Sequence, residues 1–88
     1  MTAAKITIYT TPSCPYCHAA KALLARKGVR YDEIDVSRDP AERRQMIKRA
    51  NGRYTVPQIF IGETHVGGSD EIHDLDHRGG LDPLLATA

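Results

Sequence analysis

Cys14-Pro15-Tyr16-Cys17 holds the only two cysteines of the 88-residue chain, and the residues on either side fix the backbone around them. Ile6, Ile8 and Tyr9 make a short β-prone run before the pair, and Thr10 to Ser13 read as a turn. Pro15 suits the first position of a helix, where its fixed φ and missing N–H cost nothing. Cys14 is therefore predicted at a helix N-terminus and Cys17 one turn further in. Helical residues at i and i+3 lie roughly 5–6 Å apart, inside the window of about 4.4–6.8 Å between Cα atoms that a disulfide needs. The two thiols are thus able to bond to each other.

A bridge closing so short a loop removes little entropy from the unfolded chain and is a poor structural staple. Reversible oxidation is the better use. The attacking species in thiol–disulfide exchange is a thiolate, and a helix N-terminus, with free N–H groups and roughly half a positive charge, stabilises that anion. This makes Cys14 the nucleophile and Cys17 the resolving thiol, with Tyr16 an apolar wall on the exposed side of the turn. The rival readings are an inert buried pair or half of a zinc site. His73 and His77 stand at i, i+4, but they lie far along the chain from the cysteines and outside the spacing of zinc fingers. The strand-to-helix context favours redox chemistry, and no metal is expected.

Composition narrows the class further. Hydrophobic residues make up 41% and charged residues 26%, with a net charge of +1, which is ordinary for a globular chain and provides no broad basic field for nucleic acid. No stretch approaches the roughly 20 apolar residues of a membrane span, and the segment up to Thr11 lacks the apolar run of a signal peptide. The expectation is one domain over residues 1–88, cytoplasmic, where a C-x-x-C pair is more often catalytic than stapling.

Beyond the cysteines, Ala20, Leu23 and Leu24 share one face of a helix that Gly28 stops. Val29 to Val36 reads as a second strand whose apolar phase slips between Tyr31 and Ile34. Asp39-Pro40-Ala41-Glu42 resembles a capping box with proline at the first helical position, and Met46, Ile47 and Ala50 give that helix its buried face, ending near Gly52. Strand, helix, strand in this order implies parallel pairing of the first two strands. The second helix also carries Arg43, Arg44, Lys48 and Arg49, with Arg53 just beyond. These are either a solvated face or the source of one arginine that reaches the groove beside Cys14 to bind a carboxylate.

Thr55 to Ile61 and Thr64 to Val66 read as antiparallel strands joined at Gly62-Glu63, where glycine at the first loop position suits a type II′ turn. Pro57 belongs at a strand start or a free edge. A cis bond there would turn the chain and leave Val56 backbone groups open to an extended substrate. Gly67-Gly68-Ser69-Asp70 opens a third helix through Ile72 and Leu75, stopped at Gly79-Gly80. The glycines permit close approach of a ligand, and the helix start suits a carboxylate. Asp82-Pro83 is expected to cap a last turn carrying Leu81, Leu84 and Leu85, and the four histidines read as surface or interface residues.

Three segments in order, Cys14-Pro15-Tyr16-Cys17, Thr55-Val56-Pro57 and Gly67-Gly68-Ser69-Asp70, resemble the glutaredoxin pattern over nearly the whole chain, in its small bacterial dithiol form. The resemblance implies an α/β, thioredoxin-like fold: a four-stranded mixed sheet flanked by helices in the order βαβαββα. It implies a cis Pro57 and a glutathione-dependent oxidoreductase that reduces protein disulfides and glutathionylated proteins through Cys14 and Cys17. By the same likeness glutathione, the reductant, lies in a groove formed by Tyr16, Arg44, Thr55, Val56, Pro57, Gly68, Ser69 and Asp70. The tripeptide backbone would pair with Val56, the γ-glutamyl carboxylate would meet Gly68, Ser69 and Asp70, Asp70 would take the amino group, and Arg44 would reach the glycine carboxylate. The chain is expected to act as a monomer, without nucleic acid or membrane.

One departure stands out. Many relatives carry Lys or Arg three residues before the nucleophile, and this chain has Thr11, which weakens thiolate stabilisation and carboxylate binding unless Arg44 or another base substitutes. Other functions remain open at this point: a carrier of a 2Fe–2S cluster held by Cys14 and glutathione, which Pro15 and Cys17 oppose, and a thioredoxin-like protein reduced by a flavoenzyme.

Overall fold

The computed structural model describes residues 5–86. Along the chain run β1 (Ile6–Thr10), α1 (Pro15–Arg26), β2 (Asp32–Asp35), α2 (Pro40–Arg49), β3 (Gln58–Ile61), β4 (Thr64–Gly67), α3 (Ser69–His77) and α4 (Leu81–Ala86). The four strands form one sheet in the order β2-β1-β3-β4, with β1 parallel to β2, antiparallel to β3, and β3 antiparallel to β4.

The placement of β1 follows from its sequence. All five residues are buried because helices cover both faces of a central strand. Ile6 and Ile8 join Ile59 and Ile61 of β3 in a core with Ala20, Leu23 and Leu24 of α1, Ile72 of α3 and Leu81 and Leu85 of α4. Tyr9 and Phe60 point the other way, into a smaller cluster with Val36, Met46 and Ala50 under α2. Alternation along β1 and β3 therefore divides the interior into two layers.

The same division explains β2. The ladder covers only Asp32 to Asp35, shorter than the expected Val29 to Val36, and three of its four residues are exposed. The apparent slip in its apolar phase is a change of layer: Val29 and Tyr31 pack on the α1 side, Ile34 and Val36 on the α2 side.

At the hairpin, Gly62 adopts φ +59 while Glu63 is not among the residues of positive φ, in keeping with a type II′ turn. A register shift between Ile59 and Phe60 bends the β3–β4 pair just before α3. The Val56–Pro57 bond is cis. α4 begins at Leu81, so Asp82 falls inside its first turn and does not precede it.

Candidate active site

Residue by residue, the site starts where β1 ends. The chain leaves the sheet after Thr10, Cys14 N–H reaches back to Thr11 carbonyl at 3.4 Å, and Pro15 opens α1. Cys14 is the N-cap, and its sulfur accepts the Cys17 N–H at 3.1 Å. A helix start usually presents this N–H to a Ser, Thr, Asp or Asn oxygen. Here a sulfur takes that place, so the backbone bond that caps the helix also favours an anion on the sulfur. The Cys14 thiol also points at Val56 carbonyl, 3.7 Å away.

Cys17 differs in every respect that matters to reactivity. It is fully buried, whereas Cys14 is partly exposed, and the two are not bonded to each other. Burial pushes the Cys17 thiol up to about 12, helped by a hydrogen bond with Cys14 and by the Cys14 charge, against smaller lowering effects of the Thr11 backbone and Lys21. One sulfur is reached by solvent at a helix start, and the other is buried and held protonated at neutral pH.

Thr11, three residues before Cys14, is half-buried beside the turn. The cation near the pair is Lys21, one turn beyond Cys17 on α1. Its Nζ lies 2.9 Å from Glu33 Oε2, which also accepts from Thr10 Oγ1 at 2.7 Å. The pair raises Lys21, while the Thr10 and Lys21 hydrogen bonds lower Glu33.

Next to the cysteine turn runs an open groove of about 140 Å³, lined by Tyr16, Arg53, Val56, Pro57, Ser69, Asp70 and Glu71. Three separate stretches of sequence meet here because β3 carries Pro57 to its top and β4 delivers Gly67-Gly68 alongside it. A Cβ on Gly68 would stand 3.3 Å from Pro57 carbonyl, so the two backbone turns approach closely. Tyr16 is 64% exposed and forms the outer wall. The Val56 N–H has no hydrogen-bond partner among the described residues. Thr55 stands just outside the lining, where its carbonyl and hydroxyl both accept from the buried Gln58 Nε2, at 2.9 and 3.3 Å. Gln58 Oε1 in turn accepts from His65 Nε2 at 2.7 Å, which fixes the hydrogen on that nitrogen. A larger hollow of about 440 Å³, between Ile6, Val29, Tyr31 and Leu85, lies at the start of β1, at the other end of the strand from Cys14.

The basic cluster sorts itself by packing. Arg49 donates to Tyr9 Oη at 2.9 Å and lies 4.1 Å over the Phe60 ring, and Arg43 donates to Tyr54 carbonyl. Arg44 is exposed on α2, outside the groove lining, with no hydrogen bond or ion pair among the described residues. The guanidinium that does line the groove is Arg53, 2.8 Å from Glu71 Oε1. That oxygen also accepts the Gly68 N–H at 2.8 Å, and these two partners, the backbone one first, hold Glu71 below the usual carboxylate range. Sequence reasoning placed Arg53 in the basic cluster but chose Arg44 for the groove, and it gave neither Glu71 nor Gln58 a part in the site. A signal was present in the glycine cap of α3, which leaves a glutamate three residues on as the natural partner of the first N–H.

Of the histidines, His65 is half-buried and stacked on Phe60 at 4.8 Å, and His73 Nδ1 contacts its own helix at Ser69 carbonyl. Among the described residues no group of three or more His, Cys, Asp or Glu is arranged to hold a metal ion, and no helix is long and apolar enough to cross a membrane.

The fold and the paired thiols define a thiol–disulfide oxidoreductase of thioredoxin-like architecture. Residues 6–66 match the Glutaredoxin family. "Glutaredoxin 3" of Escherichia coli (strain K12) is 57% identical over 82 residues, covering 93% of this chain and 98% of that protein. The solution structure of glutaredoxin from Brucella melitensis superposes with a TM-score of 0.86 at 53% identity, over 99% of this chain and 94% of the other. A buckwheat glutaredoxin–glutathione complex superposes at 0.84 with 29% identity, over 97% and 83%. The chain belongs to the glutaredoxin family. It is a dithiol glutaredoxin, a glutathione-dependent thiol–disulfide oxidoreductase.

Proposed function

We propose that Cys14 is the nucleophile, that Cys17 resolves, and that glutathione lies along the groove from Tyr16 to Asp70. The observation that carries this is the unequal setting of the two sulfurs: Cys14 receives a backbone N–H at the helix start, while Cys17 is buried and held protonated.

The Cys14 thiolate attacks a disulfide sulfur of a protein substrate or glutathionylated protein. One S–S bond breaks as the Cys14–S bond forms, and the departing thiolate takes up a proton. Capture changes the state of Cys17. Burial, the main cause of the raised Cys17 thiol, remains, but once Cys14 is tied up and uncharged its own smaller raising contributions are gone, while the lowering influences of the Thr11 backbone and Lys21 stay. Cys17 then loses its proton more readily, attacks Cys14 and releases the reduced product. Two glutathione thiols convert the resulting Cys14–Cys17 disulfide back to the dithiol, giving glutathione disulfide. With a glutathionylated substrate, free glutathione can resolve the mixed disulfide directly.

Val56 is the hinge of substrate alignment in this reading. While Cys14 is a thiol it donates to Val56 carbonyl; as a thiolate it cannot, and that carbonyl becomes free for an N–H of the tripeptide. The unpartnered Val56 N–H takes a tripeptide carbonyl, so Val56 pairs like one more strand edge. Thr55 and Pro57 hold this edge in place, Tyr16 covers the mixed disulfide, and the Gly68-Ser69-Asp70 helix start faces the γ-glutamyl end with Asp70 taking the ammonium. Arg44, free on α2, is the cation left to reach for the glycyl carboxylate. Residues 1–88 act as one domain, in the cytoplasm, on disulfide-bearing or glutathionylated proteins.

Two variants test the assignment of roles. Cys17→Ser should still remove glutathione from a glutathionylated protein but lose reduction of protein disulfides, while Cys14→Ser should lose both. Turnover retained by Cys14→Ser would overturn it.

A further inference from the structure

We propose that Arg53 is a specificity-determining residue, binding the γ-glutamyl carboxylate of glutathione while Glu71 holds it in position. This rests on the reading that glutathione occupies the groove. Four observations bear on it. First, among Arg43, Arg44, Lys48, Arg49 and Arg53, only Arg53 lines the groove; Arg43 and Arg49 are engaged elsewhere and Arg44 stands apart.

Second, Arg53 is anchored. Glu71 Oε1 receives Arg53 Nη2 and the Gly68 N–H, each at 2.8 Å, so the guanidinium is tied through one carboxylate to the backbone at the start of α3. An arginine has five N–H donors in a planar fork. The pair with Glu71 is the one hydrogen-bonded contact of Arg53's side chain among the described residues, and the remaining donors suit a second carboxylate.

Third, the glycines make the arrangement possible. Gly67 has φ +114, and a Cβ there would stand 2.7 Å from Glu71 Oε1 and 3.1 Å from Arg53 Nη1. Any side chain at 67 would push the pair off the turn. Fourth, the same groove carries the opposite charge: Asp70, exposed, lines it together with Arg53. A cation and an anion together match a group bearing both an ammonium and a carboxylate. Glutathione has that combination only at its γ-glutamyl end, since its glycyl end carries a carboxylate alone. The wall thus discriminates between the two ends of the tripeptide and sets its direction past Cys14.

The test uses three mixed disulfides of one reporter thiol, formed with glutathione, with γ-glutamylcysteine and with cysteinylglycine, in steady-state reduction by the full chain. Arg53→Gln is expected to raise KM about tenfold for the two substrates that keep the γ-glutamyl group, the scale of one lost charge-assisted contact, with little change in kcat. The cysteinylglycine disulfide should show no such increase. Arg53→Lys should recover part of the loss, and Glu71→Gln should give a smaller increase with the same substrate pattern. An equal increase on all three substrates, an increase that follows the glycyl group, or none at all overturns the proposal. Asp70→Asn, run beside it, separates the two levels. If Asp70→Asn discriminates and Arg53→Gln does not, the groove reading stands and Arg53 is misassigned; if neither discriminates, the groove reading falls as well.

Discussion

Cys14-Pro15-Tyr16-Cys17 and Asp39-Pro40-Ala41-Glu42 begin their helices by the same construction. Each has a side-chain acceptor at the N-cap and proline at the first helical position. In each, the N–H three residues on reaches back to the cap, Cys17 N to Cys14 Sγ and Glu42 N to Asp39 Oδ1, both at 3.1 Å. The difference lies in what the cap atom can become and what stands behind it. Asp39 is already an anion and faces solvent, with an exposed turn around it, so its bond stabilises the helix and nothing more. Cys14 places a sulfur where that same backbone N–H would favour an anion, and behind it lies a second sulfur buried in the core. In the proposed mechanism a common helix-capping device is turned into a nucleophile by changing one atom type and burying the residue at the third helical position.

Four substitutions break or sharpen that comparison, from the largest effect to the smallest. Cys14→Asp should turn the first helix start into a copy of the second: turnover falls below detection with either substrate class, while thermal stability stays at or above that of Cys14→Ala, as a melting curve will show. Cys17→Ser, measured on a disulfide-bonded protein, should lose that activity yet keep deglutathionylation. Asp39→Ala removes the purely structural cap and should cost about 1 kcal/mol, seen as a melting temperature lower by about 4–8 °C, with turnover unchanged. The smallest effect is on pH dependence. Glu71 is lowered from its ordinary 4.5 by the Gly68 N–H and Arg53, so it contributes stability above that value and loses it as pH falls through the folded-state value. Glu71→Gln should therefore flatten the acid side of the melting profile slightly; an unchanged slope would remove this bond from the account.

Much of this was readable in the sequence because the relevant signals are local. Proline at 15 and 40 marks two helix starts, Gly62 marks the hairpin, and the alternation of Ile6, Ile8, Ile59 and Ile61 marks one face of the sheet. The three segments that meet at the groove could be named from the family likeness. What was not readable depends on tertiary packing. Arg43, Arg44, Arg49 and Arg53 look alike along the chain, and only the folded molecule sends one to Tyr54, one over Phe60, one to Glu71 and leaves one without a partner among the described residues. Gln58 reads as an ordinary strand residue until its amide is seen to hold Thr55 from below. The length of β2 was misjudged because Val29 and Tyr31 are apolar for the sake of one layer and Ile34 and Val36 for the other.

The unequal chemistry of the two sulfurs is most directly tested by brief alkylation of the fully reduced protein near neutral pH, with each cysteine followed by peptide mass spectrometry. Modification at Cys14 with Cys17 left untouched is the predicted result, since Cys17 is buried and pushed up to about 12. Equal labelling, or labelling of Cys17 first, would contradict the account.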